Sequence, residues 1–414
     1  MYLKFMIKPN SMYIEIAKYI YTFAFIIAVN FATNGQTKWR FAVVGDTHVG
    51  SSDTIAEMIP FMLADNIECL LVPGDIAEGG LACSSAKLQT QFEHWQLLLK
   101  PLYDKGIGVY PIYGNHENDA KSSTLAWNNV FSGLYSLPQN GPSGEENFTY
   151  SFTHKNALFI GLDDYKNIHK VNQTWLDKEL AANKQPHIFV FGHEAAFKVF
   201  HADCLDDSVS ARNTFWQSLS HAGVKVYFCG HDHFLDVANV DDGDGNANND
   251  VIQYLVGTGG GWLMSQYSNY NGNNSPYTPK RLYHEMEFGY ALVEISGEEM
   301  NDLNVSITWK KRNWNTSTSK YEYINTSSVV QYSANSLTGV DNMVQKNPQI
   351  FPNPASNSIT LSGFYGNTSI FNQLGVLVWK DIIVDNQSID TSSFQSGVYF
   401  VQNNNSIKKL IIKK

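Results

Sequence analysis

The sequence predicts an α/β domain followed by a small all-β module. Three observations carry this reading. Between residues 39 and 312, apolar β-rich runs alternate with stretches of helical period. From Asn313 onward the chain turns to Asn, Ser and Thr, with short alternating segments separated by turn residues. Apolar residues make up 43% of the 414 and aromatics 13%, enough for a large core and against disorder. The length suggests two or three domains. Charged residues are 16%, and 29 Lys+Arg against 39 Asp+Glu leave a net charge of −10. That balance excludes a nucleic-acid coat or a polybasic membrane binder. Mean hydropathy of −0.25, with one apolar run approaching spanning length, excludes a polytopic membrane protein.

The N-terminus reads as a signal peptide over residues 1–35. Lys4, Lys8 and Lys18 precede an apolar stretch at 20–32, which Thr33-Asn34-Gly35-Gln36 closes with small and polar residues. Cleavage is expected near Gly35, and Met12 is an alternative start. A retained membrane anchor is the alternative, disfavoured because the apolar stretch is short for a span. Export bears on the cysteines. Cys69 and Cys229 sit inside apolar runs and read as buried thiols, whereas Cys83 and Cys204 lie in loop-like sequence and are the better disulfide candidates. No CxxC occurs, so cysteine spacing matches no zinc site.

Five apolar runs each end at a polar cluster opened by glycine. Residues 40–44 lead into Gly45-Asp46-Thr47-His48, and 69–73 into Gly74-Asp75-Ile76-Ala77-Glu78. Residues 108–113 lead into Gly114-Asn115-His116-Glu117, 187–191 into Gly192-His193, and 224–229 into Gly230-His231-Asp232-His233. Helical stretches at 54–65, 88–105 and 173–183 alternate with these strands. Strand ends gather distant residues onto one rim of a sheet. The gathered groups are two carboxylates, one amide oxygen and several imidazoles. Such a set suits Zn, Mn or Fe rather than an all-oxygen calcium cage. It is too large for one ion, and two metals about 3.5–4 Å apart that share a carboxylate would use it. The histidines at 94, 154, 169, 187, 201, 221 and 284 have no such context.

The ordered set Asp-x-His, Gly-Asp, Gly-Asn-His-Glu, Gly-His and Gly-His-x-His resembles the calcineurin-like metallophosphoesterase superfamily, over roughly 39–312. The resemblance implies a two-sheet α/β sandwich flanked by helices. It implies one metal on Asp46, His48, Asp75 and His233, and a second on Asp75, Asn115, His193 and His231, with Asp75 bridging. His116 would not bind metal but would face the leaving oxygen or a phosphate oxygen. Glu117 is a candidate to orient His116, with a solvated loop acid as the equal alternative, and Asp232 is expected to point outward. The runs at 223–229, 253–260 and 288–294 are similar to acid-phosphatase-like members. The purple subgroup has a tyrosine three residues after the second aspartate, where this chain has Glu78, and it lacks a histidine at the position of His48. A non-purple relative is therefore expected, without a tyrosinate-bound ferric ion.

The expected activity is hydrolysis of phosphate esters by attack of a dimetal-bridging hydroxide, with His116 as general acid or electrostatic partner. A phosphomonoesterase is the first expectation. A phosphodiesterase or nucleotide hydrolase of the same family is the alternative, and an inactive surface binding protein a more distant one. Asp163-Asp164 end the run 157–162 on the same rim, where the expected ligands are already supplied. Asp241-Asp242-Gly243-Asp244-Gly245-Asn246 looks superficially like a calcium loop but reads as a polar hairpin loop. The aromatic stretch 262–283 is a candidate cover for the pocket.

The C-terminal hundred residues begin with 314–319, which read as a loop, and 332–346, which read as a linker. Segments 358–361, 368–371, 375–379 and 397–401 then predict a small β-sandwich. Phe351-Pro352-Asn353-Pro354-Ala355, Phe371-Asn372-Gln373-Leu374-Gly375, Ser396-Gly397-Val398-Tyr399-Phe400 and the basic close at 408–414 resemble the C-terminal sorting domain of the type IX secretion system of Bacteroidota. A carbohydrate-binding β-sandwich is the alternative. The expected organisation is a signal peptide at 1–35, a phosphoesterase domain at 36–331, a linker at 332–346 and a sorting domain at 347–414. The expected partners are a phosphate-ester substrate and the type IX machinery, and the expected location is the cell surface or the medium, with no transmembrane span in the mature protein.

Overall fold

The structure is a computed structural model, and it describes residues 38–297, 303–333, 349–362, 364, 366–383, 387–403 and 406–414. The expected signal peptide and residues 334–346 of the expected linker lie outside the described residues.

The first half is a run of β-α-β units. β1 (Lys38–Val43), β2 (Cys69–Val72) and β3 (Gly108–Pro111) are connected by α1 (Thr54–Ala64) and α2 (Ser85–Tyr103). In α1 the apolar residues Ile55, Met58, Ile59 and Met62 recur at one helical face, and all four are buried. In α2, Leu88, Phe92, Trp95 and Leu99 do the same, and Ser84 caps the helix by accepting the Lys87 N–H at 3.3 Å. Because helices make the crossovers, β1 pairs with β2, and β2 with β3, in parallel. Two short helices follow, α3 (Asn115–Asp119) and α4 (Ser123–Val130).

The second sheet grows from β4 (Tyr150–His154), β5 (Ala157–Gly161), β6 (His187–Phe191), β7 (Val226–Cys229), β8 (Leu235–Asp241), β9 (Val251–Val256) and β10 (Thr278–Glu285). Helices α5 (Gln173–Ala182) and α6 (Val209–His221) cross between its parallel members. Its strand order is β10-β8-β9-β7-β6-β5-β4. β11 (Gly289–Ser296), β12 (Asn304–Asn315) and β13 (Lys320–Ser333) then return to the first sheet, giving β13-β12-β11-β1-β2-β3. The expected two-sheet sandwich is therefore present. Phe41 of β1 marks its interior, with ring centroids 5.1 Å from Phe159, 4.8 Å from Phe189 and 6.4 Å from Phe228 of the facing sheet. Burying each such ring is worth about 1.5–3 kcal/mol.

Three local expectations are corrected. Residues 314–319 are not one loop: Trp314 and Asn315 close β12, and only 316–319 turn the chain into β13. The polar Asn/Ser/Thr composition there reflects a long antiparallel hairpin, whose cross-strand pairing sets structure more than propensity does. Tyr332, placed at the start of the linker, is 5% exposed and paired with Val305 in β13, which runs to Ser333. Cys83 and Cys204 form no disulfide; all four cysteines are free and buried. The Cys83 thiol instead faces Gln91 Oε1 at 3.8 Å.

The C-terminal module has two small antiparallel sheets. One orders β14 (Gln349–Phe351), β15 (Ser358–Ser362) and β18 (Gln387–Asp390), and the other β17 (Leu377–Ile383), β16 (Gly366–Asn372), β19 (Gly397–Asn403) and β20 (Ser406–Ile412). Ile359, Leu361, Phe364, Ile370, Val401 and Leu410 form a core of their own. Its all-β character matches the expectation. Among the described residues no helix is long and apolar enough to cross a membrane.

Candidate metal centre

The five clusters leave the C-terminal ends of β1, β2, β3, β6 and β7. Within each sheet these strands are parallel neighbours, so their following loops emerge on one rim. The loops are woven by main-chain bonds: Asp46 N–H to Gly74 O at 3.0 Å, His48 N–H to Asp75 O at 3.1 Å, and Gly230 N–H to His193 O at 2.8 Å. Asp46, His48, Asp75 and His231 all adopt positive φ, at 57°, 45°, 49° and 72°. Non-glycine residues held there cost on the order of 1–3 kcal/mol each, a strain that concentrates at functional sites. Two of the opening glycines are needed for close approach. A Cβ on Gly114 would sit 2.1 Å from Asp75 Oδ1, and one on Gly74 would sit 2.3 Å from His193 Nδ1.

All seven sequence-predicted ligands converge. Asp46, His48, Asp75 and His233 form one group with ligand atoms within 4.8 Å of one another, and Asp75, His193 and His231 form a second. Asp75 belongs to both, its Oδ2 lying 3.5 Å from His48 Nε2 and 3.5 Å from His193 Nε2. Asn115 joins the second group, because its Oδ1 is 3.0 Å from both His193 Nε2 and His231 Nδ1. His233 Nε2 faces Asp46 Oδ1 at 3.5 Å. The other ring nitrogens are tied outward, His193 Nδ1 to Pro73 O at 2.8 Å and His233 Nδ1 to Trp262 O at 2.9 Å. His48 Nε2 is buried without a hydrogen-bond partner and faces the Asp75 carboxylate. An orphaned imidazole nitrogen among carboxylates, with mixed N and O donors in two groups sharing Asp75, fits a pair of borderline transition cations.

Electrostatics follow from this crowding. Burial opposes the charge on Asp75, but the His193, His48 and His116 imidazoles hold its carboxyl well below the usual range. Burial likewise opposes charge on His193, and the Asp75 carboxylate overrides it, raising His193 well above an ordinary imidazole. His116 is raised against burial by the same carboxylate and by its bond to the Glu78 carbonyl. Its Nδ1 meets Glu78 O at 2.5 Å, and its main-chain N–H donates to Asp75 Oδ1 at 3.0 Å.

The acidic neighbours depart from expectation. Glu117 is neither solvated nor bonded to the His116 ring. It is fully buried, and its carboxylate accepts the main-chain N–H groups of Gly114, Asp75 and Ala77 at 2.9, 3.0 and 2.9 Å. Asp232 does not point outward. It is 2% exposed and accepts the N–H groups of Phe200 and His201 at 3.0 and 3.1 Å, while its Oδ1 meets His201 Nδ1 at 2.6 Å. Asp164 binds no ligand atom but accepts the N–H of His193 at 2.8 Å and of Glu194 at 2.9 Å. Asp163 closes its own turn through Lys166 N–H at 2.7 Å. Glu117, Asp164 and Asp232 thus buttress the loops around the candidate ligands, and Asp163 does not. Sequence position alone gave no sign of this, because the bonds cross between strands distant in the chain.

Two more groups were overlooked. Glu78 Oε2 lies 3.1 Å from His48 Nδ1. The His201 ring packs 4.4 Å from the His231 ring, although nothing around His201 in sequence marked it out. The aromatic stretch 262–283 is not simply a cover. Trp262 is 88% exposed beside the site, but Tyr270 and Tyr277 are buried in a core and residues from Thr278 form β10. In the β8–β9 hairpin, carboxylate oxygens of Asp241, Asp242 and Asp250 also lie within 4.8 Å of one another. There Asn249 Nδ2 donates to Asp242 Oδ2 and Asp244 Oδ2 at 3.1 and 2.9 Å, in keeping with a polar hairpin.

Comparison with known proteins agrees with this geometry. Residues 40–235 match the family model of the calcineurin-like phosphoesterases, and residues 349–414 match that of the secretion system C-terminal sorting domain. No curated protein matches the sequence. Among solved structures, the chain is similar to a purple acid phosphatase from yellow lupin (Lupinus luteus) seeds, with TM-score 0.50 and 14% identity over 72% of this chain. It spans about half, 54%, of that phosphatase. It is also similar to PhoD, with TM-score 0.51 and 11% identity over 74% of this chain and 72% of that one. At such identities the likeness is one of fold.

Proposed function

We propose that this chain, which carries a calcineurin-like phosphoesterase domain at residues 40–235 and a sorting domain at 349–414, is an exported metal-dependent phosphoester hydrolase, first of all a phosphomonoesterase. The observation that carries the reading is the position of Asp75, whose Oδ2 stands 3.5 Å from an imidazole of each ligand group. Asp46, His48, Asp75 and His233 would hold one cation, and Asp75, Asn115, His193 and His231 the other. Bound there, two Zn, Mn or Fe ions would supply charge neutralisation for the phosphoryl oxygens and an activated water.

The chain's own residues do the rest. Glu117 and Asp164 hold the loops of Asp75 and His193 by main-chain N–H groups, so the ligands need little reorganisation. His116, tied through Nδ1 to the Glu78 carbonyl, keeps its Nε2 free and its proton to a higher pH than an ordinary imidazole. That suits it to protonate or polarise the leaving oxygen. The sorting domain would hand the folded enzyme to the type IX machinery, placing it at the cell surface or in the medium, and residues 1–35 would serve as the signal peptide.

The test is hydrolysis by the purified mature chain of aryl and alkyl monoesters and of bis-aryl diesters, with elemental analysis on the same preparation. Two ions per chain and a monoester preference are expected, with both lost in Asp75→Ala. A diester preference would transfer the assignment to a phosphodiesterase. Full metal loading without hydrolysis of either class would leave a binding protein.

A further inference from the structure

Glu78 is tied to both His48 and His116. Its side chain reaches His48: Oε2 lies 3.1 Å from His48 Nδ1 and accepts the Ser51 hydroxyl at 2.7 Å, which fixes the carboxylate's direction. Its main-chain carbonyl reaches His116, with His116 Nδ1 2.5 Å from Glu78 O. The two imidazoles pack edge-on with centroids 4.5 Å apart. The backbone around Glu78 is itself fixed, since its N–H donates to Val49 O at 3.0 Å and the neighbouring Gly80 N–H to His116 O at 2.7 Å.

We propose that Glu78 is a positioning residue that sets the tautomer of both His48 and His116, the first through its carboxylate and the second through its carbonyl. A histidine whose Nδ1–H donates to an oxygen presents the lone pair of Nε2 at its other end. For His48 that end is the buried, unpartnered Nε2 that faces Asp75. For His116 it leaves Nε2 as the atom that exchanges a proton. Glu78 therefore acts on the Asp46–His48–Asp75–His233 group alone among the two ligand groups, and only its side chain does so. The contact to His116 survives any substitution that keeps the backbone in place. This inference rests on the proposed function, because it assumes that both ligand groups take up metal.

The experiment is metal binding, read by titrating the apoprotein with Mn²⁺ or Zn²⁺ in a calorimeter and by elemental analysis after dialysis at graded free-metal concentrations. Wild type should take up two ions. Glu78→Ala should keep one with unchanged affinity and bind the other about 10–100-fold more weakly. Glu78→Gln should recover most of that loss, because an amide oxygen can still accept from His48 Nδ1–H and from Ser51. The Glu78 carboxylate is partly exposed, at 42%, so its removal leaves no buried hole. Unchanged affinity for both ions in Glu78→Ala overturns the inference alone. Equal weakening of both ions, or a Gln variant as weak as the Ala variant, also overturns it. A wild-type chain that binds fewer than two ions overturns the proposed function and takes this inference with it.

Discussion

The carboxylate of Glu117 accepts the main-chain N–H of Asp75 at 3.0 Å, so one buried acid carries the loop that presents the residue common to both candidate metal groups. The same Oε2 accepts the Gly114 N–H at 2.9 Å, which joins the β2 and β3 loops at their roots. Burial, with the Asp75 charge second, pushes the Glu117 carboxyl up to about 8, so two acids share the floor of the site at a cost. The arrangement stands because three buried N–H groups have no other acceptor.

Glu117→Ala is therefore expected to destabilise the domain by at least about 3 kcal/mol, since it orphans three buried donors that cost roughly 1–3 kcal/mol each. Glu117→Gln should cost far less, because its amide oxygen can still serve Gly114 and Asp75 while only the Ala77 bond is lost. Urea unfolding of both variants checks the ranking. Equal stabilities would mean that the three N–H groups find other partners.

His116→Ala should lower kcat about 10²–10⁴-fold on a monoester with a poor leaving group, with both ions retained. The loss should shrink on an activated aryl ester, whose leaving oxygen needs no proton. His116 is no member of the two groups that contain Asp75, so elemental analysis of the variant separates an acid role from a ligand role. A variant that loses an ion along with its activity would make His116 a ligand instead.

The convergence of the candidate ligands was legible in the sequence because each follows its own strand, and strand-end position is a local property. Asp46, Asp75 and His193 could be read this way without knowing which strands lie side by side. Their supports could not. Asp164 meets His193 only because β5 pairs with β6, and Asp232 meets His201 only because the loop after His193 reaches the loop that follows β7. Glu117 is expected either beside His116 or in solvent because nothing in Gly-Asn-His-Glu shows that three main-chain donors face it. The ends of the 304–333 hairpin differ for a related reason: Val305, Ile307, Trp309, Val330 and Tyr332 face the core, but the polar residues at its tip hide that Trp314 and Asn315 still pair across it.

The stability of the chain should fall steeply between pH 6.5 and 4 because of His187. This residue lies on β6 far from any ligand group, stacked on Phe189, and burial lowers its imidazole to about 4. A folded-state value below the unfolded one means that the unfolded chain takes a proton the folded chain refuses. The stabilisation is complete above pH 6.5 and is lost as pH falls toward 4, in total on the order of 2–3 kcal/mol. His187→Phe, which can keep the stack, should flatten that part of the curve. Denaturant unfolding at pH 7 and pH 4.5 measures the difference, and parallel losses in wild type and variant would assign the acid limb to other groups.

Truncation after Val344 should leave hydrolysis intact and abolish export. Every candidate ligand, and His116 with them, lies between Asp46 and His233, and the carboxylates that buttress the loops lie in the same span. The C-terminal module instead closes on its own core of Ile359, Leu361, Ile370, Val401 and Leu410. A unit with its own core can be removed without unfolding what precedes it. The segment removed is also the one that matches the sorting-domain family, at 349–414. The purified truncated chain should thus match the full chain in metal content and in kcat. In the producing cell it should collect in the envelope and be missing from the surface and medium. A truncated chain that still reaches the exterior would end the sorting role. One that folds and binds two ions but loses turnover on large substrates alone would make the module a substrate-binding one, because small aryl esters need no contact beyond the metal centre.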